Sequence, residues 1–268
     1  MTSNKNIARI LIIAGSDSGG GAGIQGDIKT VTCLGGYAAT AITALTAQNT
    51  TGVYGIYEVP ENFIAQQIKL VLDDIGADAL KTGMLHKESV IETVADAIGG
   101  RGIPLVLDPV MFAKGGAALL EKLALSALKT RLIPMATIIT PNIPEAEYLA
   151  EITIKNLDDM QKAAEEIMKL GCKSVLIKGG HLEGEIITDL LVTESGEETF
   201  AQPRIHTKHT HGTGCTLASA IATGIGQKLS LVDSVIRARN YVAEAIKNAP
   251  NIGNGHGPLG HLVTTDKS

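Results

Sequence analysis

Short apolar runs alternate with segments of helical periodicity along most of the chain. Residues 10–14 and 38–45 have the length and apolar content of buried strands, whereas residues 62–75 carry apolar side chains at the spacing of one helix face. The same patterns predict further strands at 79–82, 105–108, 137–140 and 174–178, and further helices at 88–98, 117–131, 145–150 and 157–170. Strand followed by helix, repeated, predicts an α/β fold with a central mostly parallel sheet and helices on both faces.

The C-terminal part departs from this alternation. Residues 184–202 predict a β-hairpin around a turn at 194–196, and two helices follow at 213–226 and 231–247. The sequence has no internal repeat and no linker rich in Pro, Gly or Ser. We therefore expect a single domain over residues 1–268.

Composition narrows the class of protein. Hydrophobic residues make up 44% of the 268 residues, which is enough for a large core. The same apolar content is compatible with an interface between two copies of the chain, and we expect a homodimer. The formal charge is −5 and aromatic residues are 3% with no Trp, whereas a nucleic-acid interface needs a basic patch or a stacking platform. No apolar run reaches the roughly 18 residues of a membrane span. We therefore expect a small-molecule partner, with no nucleic acid and no membrane.

The cysteines indicate the compartment. The sequence has three cysteines, an odd number, at positions Cys33, Cys172 and Cys215. They lack the C-x-x-C spacing of a zinc or redox site. The apolar run that follows the polar N-terminus is too short for a secretory signal. Both features favour a reducing, cytoplasmic location.

The run His-Thr-His-Gly-Thr-Gly-Cys-Thr at 209–216 leads into an apolar helix. Gly212 and Gly214 permit a turn in which the backbone N–H groups of Gly212, Thr213 and Gly214 point in the same direction. The N-terminus of the following helix adds partial positive charge. Such a loop suits a phosphoryl group in transfer. Cys215 lies on the first turn, where we expect a lowered thiol pKa and a role as the base for a substrate hydroxyl. The alternative is a tight loop with a buried structural cysteine.

A glycine-rich stretch, residues 14–27, follows the first predicted strand. Glycines such as Gly15 let the backbone approach a ligand closely. The stretch lacks the pattern of a Walker A loop, and Ile24 stands where a dinucleotide fingerprint needs glycine. We expect a loop here, with Asp27 either hydrogen-bonding a substrate hydroxyl or supporting the start of the following helix.

Two acids and a lysine follow other predicted strands. Asp108 ends one strand, and Glu145 follows another in Asn-Ile-Pro-Glu. Carboxylates on one sheet edge suit Mg²⁺, although Asn142 and Glu145 also match a helix capping box. Lys178 ends a further strand before two glycines, where its ammonium either meets ATP phosphates or is merely solvated.

These runs together resemble the hydroxymethylpyrimidine/phosphomethylpyrimidine kinase family of thiamin biosynthesis, in the ribokinase-like superfamily. The matching stretches follow one another along nearly the whole chain, at 14–30, 43–50, 81–85, 107–111, 140–146, 178–181, 203–218 and 255–258. The resemblance implies a three-layer ribokinase-like αβα fold. It also implies a kinase that uses ATP and Mg²⁺ to phosphorylate 4-amino-5-hydroxymethyl-2-methylpyrimidine and then its monophosphate.

The resemblance assigns roles to individual residues. Gln48 would hydrogen-bond the aminopyrimidine edge, because its amide is both donor and acceptor. The remaining substrate-binding residues that it implies are Gly15, Asp27, Met84 and Val110. Asp108 and Glu145 correspond to the acids on the magnesium side, Lys178 to the phosphate lysine, and Cys215 to the catalytic base.

Two other functions stay open at this point. Pyridoxal and pyridoxine also carry a hydroxymethyl group on a ring, so a pyridoxal kinase of the same superfamily is the nearest alternative. A protein of a different class, a ligand-binding regulator that has kept the fold without catalysis, is the second. Asp108, Lys178 and Cys215 favour an enzyme.

Overall fold

The computed structural model describes residues 7–112, 119–121 and 123–263. Within this part of the chain one sheet runs in the order β3-β2-β1-β4-β5-β6-β7-β8-β9. The strands are β1 (Arg9–Asp17), β2 (Tyr37–Asn49), β3 (Gly52–Glu58), β4 (Ala79–Thr82), β5 (Leu105–Leu107), β6 (Ile138–Ile139), β7 (Ser174–Ile177), β8 (Ile186–Thr193) and β9 (Gly196–Pro203). Pairing is parallel from β2 to β7 and antiparallel for β3, β8 and β9, which confirms a mostly parallel sheet.

Helices connect most of the strands. They are α1 (Gly23–Cys33), α2 (Glu61–Leu70), α3 (Glu88–Ile98), α4 (Ala124–Ala127), α5 (Ile143–Ala150), α6 (Leu157–Met168), α7 (Thr213–Gly226) and α8 (Leu231–Lys247). Helix α2 continues as a π-helical turn over Val71–Ile75, and α4 continues in the same way over Leu128–Leu132. In the described residues, no helix combines the length and the apolar character needed to cross a membrane.

Alternate side chains of the strands build two cores. In β1, Leu11 and Ile13 pack with helices α2 to α6, whereas Ile10 and Ile12 pack with α1, α7 and α8. Successive side chains of a strand point to opposite faces, so a strand covered by helices on both sides is apolar throughout. This arrangement is the expected three-layer αβα fold, and it explains why the parallel strands appear in the sequence as continuous apolar runs.

The glycine-rich stretch 14–27 is only partly a loop. Helix α1 begins at Gly23, so the expectation of a loop over the whole stretch is wrong, and Asp27 lies inside the helix. Gly23 has a φ of +54°, and a Cβ there would lie 2.4 Å from the carbonyl oxygen of Gly15. A Cβ on Gly26 would lie 3.0 Å from the carbonyl oxygen of Gly21. These glycines allow close packing of the helix start, which composition does not distinguish from loop flexibility.

Other elements differ from the predictions in extent. Strand β3 was not predicted, because Gly52 and Gly55 interrupt its apolar alternation. The helix expected over 117–131 begins at Ala124 in the described part of the chain, and residues 117, 118 and 122 lie outside the described residues. The hairpin β8–β9 is confirmed. The single domain over 1–268 stays a prediction.

The strand order creates a crevice at one edge of the sheet. Strand β1 lies between β2 and β4. The helix that leads from β1 to β2 packs on one face of the sheet, and the helix between β4 and β5 packs on the other. In such sheets, ligands bind beyond the carboxyl ends of the strands at the point where the connections diverge.

Candidate active site

A cavity of about 750 Å³ opens at the carboxyl edge of the parallel strands. Its volume lies within the range of small-molecule sites. All of the residues predicted for the site line it except Asp27: Gly15, Gln48, Met84, Asp108, Val110, Glu145, Lys178, Gly212, Thr213, Gly214 and Cys215. The tertiary structure therefore brings residues from the whole length of the chain to one cavity.

The start of α7, residues 212–215, forms the turn that the sequence predicts to be the anion-binding turn. Gly212 caps the helix with a φ of +87°, and a Cβ there would lie 1.9 Å from the carbonyl oxygen of Gly21. The first backbone bond within the helix runs from the Thr216 amide to the Gly212 carbonyl, at 2.9 Å. The amides of Gly214 and Cys215 precede that bond, so they are available to an anion, as at other helix N-termini.

Lys178 lies between two carboxylates at this end of the cavity. Its Nζ is 3.2 Å from Asp108 Oδ1 and 3.9 Å from Glu145 Oε2. Burial disfavours the charged ammonium, but Asp108 and Glu145 outweigh burial and raise the pKa of Lys178. A Cβ on Gly214 would lie 3.3 Å from Lys178 Nζ, so glycine allows the helix start to approach the lysine. Lys178 is thus a fixed positive charge beside the anion-binding turn.

Glu145 is part of a helix cap and also lines the cavity. The Asn142 amide donates to Glu145 Oε2 at 2.8 Å, and the Glu145 amide donates to Asn142 Oδ1 at 2.9 Å, so the capping box is confirmed. Glu145 also lines the cavity. Burial and the charge of Asp108 outweigh the effect of Lys178 and raise the pKa of Glu145 to about 7. An added cation near this carboxylate would favour its ionised form.

Cys215 lines the cavity, but its thiol is not activated in the way the sequence suggests. Burial raises its pKa to about 12; Lys81 opposes this shift, while the charges of Asp27 and Asp108 add to it. The expectation of a lowered pKa is therefore wrong. A position at a helix N-terminus favours the thiolate and would lower the pKa. The burial of Cys215 and the neighbouring acids outweigh this effect, so the net shift of the thiol pKa is upward.

Asp27 is the predicted substrate-binding residue that the structure places elsewhere. Its side chain is fully buried; Oδ2 accepts a hydrogen bond from Lys81 Nζ at 2.8 Å, and Oδ1 accepts one from Ser219 Oγ at 2.7 Å. It does not line the cavity, contrary to the expected substrate contact. Lys81 does line the cavity, and Asp27 outweighs its burial and raises its pKa. Asp27 therefore holds a buried cation in place.

Several cavity residues were missed by sequence reasoning. Lys81 lies within the buried strand β4. A charged residue in an apolar run can be recognised in a sequence, and it indicates an ion pair inside the protein. Asp17 and His211 also line the cavity and are joined at 2.8 Å. Both belong to matching stretches. The position of His211 on a loop favours a hydrogen-bonding or phosphate-adjacent role over a metal site, and the structure shows it hydrogen-bonded. Asp17 had no predicted role, because nothing in the sequence shows that the two residues meet.

Part of the cavity lining is apolar. Met84 packs in a small cluster with Ala44 and Leu119, and Val110 contacts the same cluster. A Cβ on Gly15 would lie 3.1 Å from Met84 Sδ, so glycine keeps space beside this cluster. The hairpin, to which the sequence assigned no function, contributes Ile187, Gln202 and Pro203 to the lining.

Known proteins resemble the chain over nearly its full length. A family model described as phosphomethylpyrimidine kinase matches residues 17–260. The hydroxymethylpyrimidine/phosphomethylpyrimidine kinase of Bacillus subtilis is 49% identical, over 96% of each chain. A thiamine biosynthesis bifunctional protein of Geobacter sulfurreducens is 48% identical over 96% of this chain, which spans only 53% of that protein.

Solved structures share the fold. Phosphomethylpyrimidine kinase of Clostridium difficile has a TM-score of 0.80 and 42% identity, over 89% of this chain and 99% of that one. Pyridoxal kinase of Bacillus subtilis, in a complex with ADP, has a TM-score of 0.88 and 35% identity, over 95% and 97%. The fold is common to both kinds of kinase, whereas sequence identity is higher to the first.

Proposed function

The chain belongs to the phosphomethylpyrimidine kinase family, and on that premise we propose that it transfers phosphoryl groups from ATP to 4-amino-5-hydroxymethyl-2-methylpyrimidine and then to the resulting monophosphate. The observation that carries the proposal is a single cavity that joins an amide-bearing apolar pocket to an anion-binding helix start. Gln48, Met84 and Val110 lie on the pocket side, and Lys178 and Cys215 lie on the anion side.

Positioning and charge would account for most of the rate enhancement. In phosphoryl transfer, the hydroxymethyl oxygen forms a bond to the γ-phosphorus while the bond to the leaving ADP oxygen breaks. Negative charge on the transferring oxygens would be stabilised by Lys178 and by the amides of Gly214 and Cys215. The apolar wall at Met84 and Val110 would hold the ring so that the hydroxymethyl group points to this turn.

Cys215 is the proposed acceptor of the hydroxyl proton. Because burial raises its pKa, the thiol is neutral in the ligand-free cavity at pH 7. The role therefore needs the thiolate to form in the substrate complex, where the positive charge of Lys81 favours it. The loose transition state of phosphoryl transfer reduces the demand on a base, because bond formation to the hydroxyl oxygen is late.

The acids of the cavity fit a magnesium ion. Asp108 and Glu145 both line the cavity and offer only oxygen ligands, the kind that Mg²⁺ prefers. We propose that these two residues hold Mg²⁺ together with the nucleotide phosphates. The ion would neutralise charge on the phosphates.

Two further proposals concern the protein in the cell. We propose a cytoplasmic location, in keeping with three free cysteines. We also propose a homodimer, in keeping with tyrosines Tyr54 and Tyr57 on the edge strand β3, whose side chains are 70% and 71% exposed. Analytical ultracentrifugation would show a single species of about twice the 27.9 kDa chain mass if the second proposal is right.

The proposed function is tested by ADP release with Mg-ATP and three acceptors at equal concentration: the hydroxymethylpyrimidine, its monophosphate and pyridoxal. We expect turnover with both pyrimidines and weak turnover with pyridoxal. Preference for pyridoxal would assign the chain to the related pyridoxal kinases. Binding of the ligands without ADP release would indicate a regulator that has kept the fold.

A further inference from the structure

Asp17 is a buried carboxylate that only accepts hydrogen bonds. Oδ1 accepts from the Gly19 amide at 2.8 Å, and Oδ2 accepts from the amides of Gly21 and Ala22 at 3.1 and 2.8 Å. His211 Nε2 also lies 2.8 Å from Oδ2. Burial favours the neutral acid, but the bonds from His211 and the amides outweigh it and hold the pKa of Asp17 below its usual range. Asp17 is therefore ionised, and His211 Nε2 must carry a proton to contact it.

This proton determines how the Gln48 amide is oriented. One end of the amide, written as Nε2, lies 3.3 Å from His211 Nε2. Two N–H groups cannot hydrogen-bond each other, and the oxygen and nitrogen of an amide are assigned from such networks. The end of the Gln48 amide that faces His211 must therefore be its carbonyl oxygen, which shares the proton that His211 directs at Asp17.

The other end of the amide leads to the same orientation. It lies 3.1 Å from Thr46 Oγ1, whose single proton is donated to the Ser16 carbonyl at 2.9 Å. Thr46 Oγ1 can then only accept from Gln48, so the amide nitrogen must be on this side. With the carbonyl toward His211 and the nitrogen toward Thr46, every polar group in the chain of hydrogen bonds has a partner.

We propose that Asp17 and His211 are positioning residues that hold the Gln48 amide in one orientation and so select the ring. His211 directly precedes Gly212, so the carbonyl of Gln48 lies on the side of the anion-binding turn. The inference rests on the proposed function, and it deepens that function by assigning its specificity. It concerns which acceptor molecule is preferred, not whether phosphoryl transfer occurs.

The aminopyrimidine matches this orientation. Its amino group is attached next to the carbon that bears the hydroxymethyl group, so it lies toward the reacting end and donates to the Gln48 carbonyl. The ring nitrogen beyond it accepts from the amide nitrogen. Pyridoxal has an aldehyde group in place of that amino group. The aldehyde has no proton to donate to the Gln48 carbonyl and its oxygen is repelled by that carbonyl, so a fixed amide disfavours pyridoxal.

The test measures kcat and KM for the hydroxymethylpyrimidine and for pyridoxal. His211→Ala removes one of the two contacts that orient the Gln48 amide, and we expect KM for the pyrimidine to rise roughly 3- to 10-fold, the value of one hydrogen bond, with kcat nearly unchanged. The preference for pyrimidine over pyridoxal should fall by a similar factor. His211→Gln keeps an N–H donor and should restore much of the preference.

Thr46→Val and Thr51→Ala complete the design. Thr46→Val removes the acceptor at the other end of the amide and should lower the preference in the same way, which keeps the test usable if the His211 variants fold poorly. Thr51 lies in the exposed turn between β2 and β3, where its hydrogen bonds to described residues go to Asn49 and Tyr54, so Thr51→Ala should leave the preference unchanged.

The outcomes separate this inference from the proposed function. If the wild-type protein turns over pyrimidines and His211→Ala and Thr46→Val change only kcat, or change both substrates equally, the positioning role is overturned while the kinase function stands. If the wild-type protein transfers no phosphoryl group to either ring, the proposed function fails first. A lower preference in both variants, with rescue by His211→Gln, supports the inference.

Discussion

Replacing Glu145 by Gln should stabilise the ligand-free protein at neutral pH. Burial and Asp108 raise the pKa of Glu145 from 4.5 to about 7, in spite of Lys178. Between these two pH values the unfolded chain ionises while the native carboxyl stays protonated, so native stability falls as pH rises through the window. One pKa unit corresponds to about 1.4 kcal/mol, and the full shift therefore costs at most about 3 kcal/mol of unfolding free energy above pH 7.

The Glu145→Gln substitution keeps the local structure while removing the titration. The oxygen of the new amide accepts from the Asn142 amide, as Glu145 Oε2 does, so the capping box survives. Lys178 keeps Asp108 at 3.2 Å. We expect Glu145→Gln and wild type to have equal stability near pH 4, and the variant to be more stable by up to about 3 kcal/mol at pH 8.

Urea unfolding followed by circular dichroism at half-unit pH steps measures the difference, without nucleotide or Mg²⁺. Glu165→Gln, an exposed position on α6, is the matched control and should follow wild type at every pH. If the curves of Glu145→Gln and wild type stay parallel from pH 4 to pH 8, the native carboxyl is not perturbed and the reasoning is refuted.

Three other substitutions test the site and its support. Cys215→Ala should lower turnover roughly 10²- to 10⁴-fold with little change in melting temperature, because a general base is lost; near-normal turnover would show that another group takes the proton. Lys81→Met leaves Asp27 buried without its cation and should cost about 3–5 kcal/mol in urea unfolding, much of it recovered by adding Asp27→Asn; a double variant as unstable as the single would contradict this pairing. Gly212→Ala places a methyl group against Gly21 at positive φ and should lower kcat at least tenfold, measured by ADP release; wild-type kcat would show that the turn does not need glycine.

Hydrophobic periodicity was sufficient for most of the fold. The parallel strands are buried on both faces, so they appear as apolar runs, and the longer helices show one apolar stripe. Because these signals are local, they also located the chemistry at the strand ends, including Lys178, Asp108 and the turn before α7. They failed at α1, where glycines serve close packing, and at β3, where glycines and exposed tyrosines conceal a strand.

The amino-acid sequence by itself determined the fold class and the family. Of the residues that it predicted for the site, all except Asp27 line the cavity. Only the tertiary structure decided how those residues act. Asp17 and His211 meet across 194 positions of sequence, and Asp27 turns inward to Lys81. The pKa of Cys215 rises where the sequence predicts a fall, and burial raises the pKa of Glu145. The physical reason is that periodicity and capping depend on near neighbours, whereas burial, charge pairing and the direction of a hydrogen bond depend on segments that meet only when the chain has folded.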